Sequence, residues 1–187
     1  AYAKEQHYFN RDILSKGVTL YRDVKQPLVA YAFIVPGIKE KKDHLLYLIE
    51  WVIGKGKSSR LYKKLVDELQ LVTSIEASAE ELFDHSLFFI IYEPKHVEDI
   101  PVIEKYIKDE LNTLRADGVQ DAELHRALNQ TKMGLYSLLE NTEQQAYQLG
   151  KYYLATQDEH YLYTCFEKPF AELKQGVADV LQEYFSP

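Results

Sequence analysis

The first stretch equipped for chemistry is Gly54-Lys55-Gly56-Lys57-Ser58-Ser59. Glycines, a lysine and a hydroxyl are the parts of a phosphate cradle. That cradle needs a glycine five residues before Gly56, where Trp51 stands, and it should follow a strand, whereas residues 43–53 read as a helix. An interhelical turn explains these glycines better. Helical zinc ligation needs imidazoles at i and i+4 with a carboxylate alongside. The histidines are His7, His44, His85, His96, His125 and His160; four residues further on stand Arg11, Leu48, Phe89, Ile100, Asn129 and Thr164, so no pair forms. Asp84-His85 and Glu159-His160 are neighbours along the chain and need not converge. A site assembled from distant residues stays open at this level. Cys165 is the only cysteine, so no internal disulfide is possible, and its aromatic neighbourhood points to core packing. No serine lies in a G-x-S-x-G turn, and 29 carboxylates give no basis for choosing an acid–base pair.

The elements that would position these groups follow from apolar spacing. Residues 1–16 are mixed and polar and read as an arm or interdomain linker; residues 17–187 read as a single domain. Residues 17–23 alternate loosely, and residues 28–35 are apolar on both phases. The pair predicts a hairpin whose second strand is covered on both faces or lies beside another domain. Pro36-Gly37 ends it. Residues 43–53 predict a buried helix, apolar nearly all round, stopped by Gly54. Ser58 or Ser59 can cap a second helix, with Leu61, Leu65 and Leu69 on one face and Tyr62 and Val66 beside them. Residues 71–79 and 86–92 predict two more strands.

The period then changes. Ile100, Ile103, Ile107, Leu111 and Leu114 mark an amphipathic helix ending near Gly118. A stripe from Leu124 through Leu128, Leu135, Leu138 and Ala146 to Leu149 predicts one long helix of about 43 Å. Residues 152–163 hold short helical pieces, and Leu173, Val177, Val180 and Tyr184 form a last helix. The expected order is β-β-α-α-β-β-α-α-α. It describes an α+β fold, with a mostly antiparallel sheet built from hairpins and packed against long helices.

Composition bounds the function. The 187 residues are 46% hydrophobic and 27% charged, as in an ordinary globular domain. The net charge of -7 argues against nucleic acid as a partner. Residues 39–64 lean the other way, with eight Lys or Arg against three acids, and read as a solvated helix surface. No span is long and apolar enough for a transmembrane helix. The chain lacks an initiator methionine and a signal-peptide core, which suggests processing or a piece of something longer. The compartment is not determined. Among the fifteen tyrosines, Tyr147, Tyr152, Tyr153, Tyr161, Tyr163 and Tyr184 cluster late, and such amphipathic rings suit contacts between domains.

One ordered set of features resembles a known family. Gly54-x-Gly56-x-Ser58-Ser59-Arg60-Leu61-Tyr62-x-x-Leu65 is similar to the "G-G-x-S-S-R-L-[FY]-x-x-L" segment of the inverted-zincin, pitrilysin-type metallopeptidases, a family that includes mitochondrial processing peptidases and bacterial zinc proteases. In them it begins the second, non-zinc domain of a homologous pair. Gln70-Leu71-Val72-Thr73-Ser74-Ile75 resembles the strand that follows, and Gly118-Val119-Gln120-Asp121-Ala122-Glu123-Leu124 resembles the start of the "G-V-[ST]-x-x-E-L-x-x-A" helix. The resemblance covers roughly residues 15–187.

The resemblance implies a zinc ion held by H-x-x-E-H and a distal Glu in the partner domain, and no zinc ligands or other cofactor in this chain, where H-x-x-E-H is absent. Active members also carry an Arg and a Tyr seven residues apart in the second domain to hold substrate. The matching positions here are Val66 and Thr73, which cannot do the same work. The expectation is therefore a non-catalytic domain that lines part of a peptide-binding chamber and packs against a homologous domain or subunit. Ser58, Ser59, Arg60, Tyr62, Val66 and Thr73 are its expected chamber or interface residues. The alternatives are a substrate-contacting domain of an active zinc endopeptidase, or an unrelated protein-interaction module.

Overall fold

The structure is a computed structural model that describes residues 17–20 and 26–186. Its sheet has three antiparallel strands, β1 (Val29–Pro36), β2 (Val72–Glu80) and β3 (His85–Pro94), in the order β1-β3-β2. Six α-helices accompany it: α1 (Asp43–Ile53), α2 (Ile100–Asp117), α3 (Asp121–Leu139), α4 (Thr142–Thr156), α5 (Tyr161–Thr164) and α6 (Phe170–Tyr184). The α+β class read from the sequence is the observed one. Among the described residues no helix is long and apolar enough to cross a membrane.

Strand alternation sends one set of side chains inward. Val35, Phe88, Ile90, Tyr92, Ile75 and Ala77 are buried beneath α1 and α6. The ring of Phe185, just past α6, lies 4.8 Å from that of Phe88 and 5.2 Å from that of Phe33. Phe88 and Phe185 are both fully buried, and each such side chain contributes about 2–3 kcal/mol by leaving water. The stripe Ile103, Ile107, Leu111 and Leu114 puts one face of α2 into the same core.

Four expectations are corrected. Of the first expected strand, residues 17–20 belong to no strand and residues 21–23 lie outside the described residues; β1 pairs with β3 instead. The β2–β3 hairpin is present. The single long helix is two, because Asn141 adopts extended backbone and its side chain accepts a hydrogen bond from the Gln144 N–H at 3.1 Å, starting α4 afresh. The helix after the glycine turn is π-helical over Tyr62–Glu68, with the Leu69 N–H bonded to the Lys64 carbonyl. Neither serine caps it through its side chain: the Ser59 hydroxyl donates back to the Gly56 carbonyl at 2.8 Å.

Candidate functional site

The turn at 54–60 owes its glycines to two constraints. Gly54 lies against β2, where a Cβ would come 2.9 Å from the Ala77 nitrogen, too close for any side chain. Gly56 has φ +78°, the region that favours glycine. Beside it, Glu50 fastens the end of α1 to the sheet. One carboxylate oxygen accepts from the Ala79 N–H at 2.6 Å and the other from Lys55 Nζ at 2.7 Å. Burial raises the Glu50 pKa, and these two donors oppose that shift.

Arg60 is held within the domain. Its Nε and Nη2 fork onto the two oxygens of Glu123 at 2.8 and 2.7 Å, and Nη1 reaches Glu110 at 2.9 Å. The bidentate bond to Glu123 is the main reason its pKa rises. Burial raises Glu123, but the Arg60 hydrogen bond and charge outweigh it and leave the carboxyl below its ordinary value. Glu123 also accepts from the Gln120 N–H and so caps α3. Arg126 Nη2 donates to the Ser58 carbonyl at 3.2 Å. Ser58, Ser59 and Arg60 thus form a clamp between the turn, α2 and α3. More widely, six of the eight basic residues in 39–64 form internal ion pairs, namely Lys39, Lys41, Lys42, Lys55, Arg60 and Lys64.

The other singled-out residues lie elsewhere. Tyr62 and Val66 are half-buried, one turn apart, and pack on the core edge. Thr73 is exposed at a bulge in β2, between Val72, which pairs with Pro94, and Ser74, which pairs with Glu93. No hydrogen bond joins Thr73 to the Arg60 clamp.

Among the described residues, the second face of the sheet is half-buried to exposed. Ala30, Ala32 and Ile34 of β1 point opposite to the core, level with Ile91, Phe89 and Leu87 of β3. The next row, on β2, is Glu76, Ser78 and Glu80. These outward residues are half-buried or exposed. The both-phase apolarity of residues 28–35 therefore marks a strand with one face in the core and one apolar face turned outward.

Sequence reasoning missed a buried polar cluster on α1. Asp43 and His44 are 1% and 2% exposed. The Tyr161 hydroxyl donates to Asp43 at 2.6 Å and lies 3.0 Å from His44 Nδ1. The Tyr47 hydroxyl lies 3.4 Å from that of Tyr152, which donates to Glu81 at 2.6 Å; Lys151 also reaches Glu81, at 2.7 Å. Burial, reinforced by the charge of Glu81, pushes Asp43 up to about 7 against the pull of Tyr161. Burial pushes His44 down to about 4. Burial also lifts the Cys165 thiol to about 12, leaving it inert. The only sequence signal was three polar residues in an otherwise apolar helix, with aromatic hydroxyls clustered late in the chain. In the window His44-Leu45-Leu46-Tyr47-Leu48, Tyr and Leu occupy the places that H-x-x-E-H gives to Glu and His. Among the described residues no group of three or more His, Cys, Asp or Glu is placed to hold a metal ion.

Residues 3–131 match the family described as the peptidase M16 inactive domain. The chain belongs to that family. It is also 30% identical, over 158 residues and 84% of its length, to the zinc protease PqqE of Helicobacter pylori. The chain spans 35% of that relative's length. Among solved structures, a protease from Helicobacter pylori superposes with a TM-score of 0.73 at 26% identity, covering 89% of this chain and 40% of that one. An inactive peptidase domain from Bordetella parapertussis superposes with a TM-score of 0.72 at 19% identity, covering 88% of this chain and 91% of that one, a likeness of fold. For an M16 inactive domain, the arrangement is coherent: the glycine–serine–arginine turn is a structural clamp.

Proposed function

We propose that this M16 inactive domain is a non-catalytic wall of a peptide-binding chamber. Its core-facing side supplies rigidity, and the outward side of its sheet meets a peptide and a homologous domain. Zinc, where the assembled protein holds it, belongs to that homologous domain. The observation that carries the reading is the outward apolar face, half-buried to exposed among the described residues, formed by Ala30, Ala32, Ile34, Leu87, Phe89 and Ile91. A sheet face of this composition normally has a cover, because contiguous exposed apolar surface marks an interaction site. Val66 and Thr73 act as contact surface without charge. Arg60 keeps the turn in place and is spent on Glu110 and Glu123.

Site-specific photo-cross-linking tests this in the protein as its host expresses it. A benzophenone side chain at Phe89 should capture peptide or the homologous domain. The same probe at the exposed Tyr136 on α3 should not. Capture at position 136 with none at position 89 would overturn the proposal.

A further inference from the structure

A groove of about 530 Å³ lies where α4 gives way to α5. It is lined by Leu149 and Tyr153 of α4, Glu159 and His160 of the turn, and Tyr163 of α5. Local hydrogen bonds fix its shape. Gln145 Nε2 donates to the Tyr163 hydroxyl at 3.2 Å. Asp158 accepts from the His160 N–H at 3.0 Å and from Lys41 Nζ at 3.2 Å, which pins the turn that carries Glu159. Tyr153 and Tyr163 are both exposed. Elsewhere tyrosine rings lie beneath this chain's own lysines: Tyr106 under Lys64 at 6.0 Å, Tyr152 under Lys151 at 5.8 Å, Tyr161 under Lys41 at 5.8 Å. Among the described residues no lysine or arginine lies over Tyr153 or Tyr163, and the one ion pair of Glu159 is with His160, at 3.5 Å.

We infer that this groove holds an arginine side chain presented by a partner protein. The face of a tyrosine ring attracts a cation, and the carboxylate lining the same groove adds the opposite charge. Two exposed rings do not enclose a quaternary ammonium. A planar guanidinium needs one ring face to stack on and one carboxylate to fork onto, and its aliphatic stem covers Leu149. A lysine ammonium uses neither the plane nor the fork. The surroundings favour a protein over a free small cation. Tyr147 and Leu154, seven residues apart on α4, extend the apolar surface beyond the groove and are exposed. Of the fifteen residues of α4 only Glu143 and Lys151 are charged, and Lys151 is held by Glu81, whereas α2 carries seven charges in eighteen residues. Aromatic rings with few charges mark the centre of a protein interface, where Tyr and Arg serve as anchors. This chain's described arginines are committed elsewhere, Arg60 to Glu110 and Glu123 and Arg126 to the Ser58 carbonyl, with Arg115 half-buried on α2. The groove shares no residue with the sheet, so the inference stands apart from the chamber-wall reading.

Amide chemical shifts of the full chain, titrated with capped tripeptides, test this. Leu-Arg-Leu should move the amides of residues 153–163. It should bind roughly three- to thirtyfold more tightly than its citrulline counterpart, which has the same shape without the charge, as expected for one stacked cation and one exposed ion pair. Ala-Arg-Ala should bind more weakly than Leu-Arg-Leu, because it leaves Tyr147 and Leu154 uncovered. Tyr153→Leu and Glu159→Gln should each shrink the preference for arginine over citrulline; both side chains are exposed, so the fold is unaffected. Equal binding of the citrulline peptide would overturn the inference, as would shifts confined to other surfaces or no binding at all. Tetramethylammonium moving the same amides at lower concentration than Leu-Arg-Leu, or equal binding of Ala-Arg-Ala and Leu-Arg-Leu, would assign the groove to a small cation and overturn the protein partner. Binding that appears only in Arg11→Gln would make the arm at residues 1–16, which lies outside the described residues, the occupant and overturn it too.

Discussion

Replacing Asp43 by Asn should shift relative stability toward the variant as pH rises to neutral and alkaline values, and the size of that shift can be worked out. Asp43 is buried, and its carboxyl rises from an ordinary 3.8 to about 7. That displacement corresponds to about 4 kcal/mol against the ionised form. Between these two values the folded state holds a proton that the unfolded state has released, so stability falls as pH rises toward 7. His44 opposes it. Its pKa drops from 6.5 to about 4, so the unfolded state binds the extra proton and stability rises with pH over that window, by about 3 kcal/mol. In the parent protein the two slopes nearly cancel from pH 4 to 6.5. Asp43→Asn keeps an acceptor for the Tyr161 hydroxyl and removes the titration of Asp43, so the change of the difference with pH reads the Asp43 contribution, whatever constant offset its buried amide adds. Urea unfolding followed through Trp51, the single tryptophan, reads the stability of both proteins across pH. Their difference cancels the other titrating groups. It should move in favour of the variant by up to about 4 kcal/mol between pH 4 and pH 8. His44→Gln should move the other way, by about 3 kcal/mol between pH 4 and 6.5. A flat difference for Asp43→Asn, or one that turns against the variant as pH rises, would refute the reasoning.

Other perturbations test the clamp and the helix ends. Arg60→Ala leaves Glu110 and Glu123 without their shared partner and should cost about 1–3 kcal/mol in urea unfolding, with peptide binding to the folded protein unchanged. Gly54→Ala drives a methyl group into the β2 backbone and should cost about 1–3 kcal/mol by the same assay. Asn141→Ala removes the cap of α4 and should cost about 1 kcal/mol, with faster amide exchange at Gln144.

Much of the framework was legible because it depends on local spacing. The bounds of α1 follow from an apolar run closed by a glycine, and the observed helix ends where that glycine approaches β2. The β2–β3 hairpin follows from alternation. The long-helix error arose because the apolar stripe carries on past residue 140 on both sides of the break. The deciding signal was smaller, an Asn at 141 followed by Thr, Glu and Gln. The π-helical turn was not legible, since Leu61 and Leu65 have the same spacing in either helix type. The Arg60 clamp and the Asp43–Tyr161–His44 cluster join residues 50 to 118 positions apart, and one sequence does not say which partners meet. The outward sheet face was half legible: residues 28–35 showed that both faces were apolar, but only the register with β2 revealed the row of Glu76, Ser78 and Glu80 beside it.

The central claim is that this domain contributes surface and not metal chemistry. Zinc content of the purified chain, measured after incubation with zinc and gel filtration and alongside peptide hydrolysis, tests it most directly. The account predicts zinc far below one equivalent per chain and no hydrolysis. One tightly held equivalent, with peptide cleavage that chelator abolishes, would contradict it.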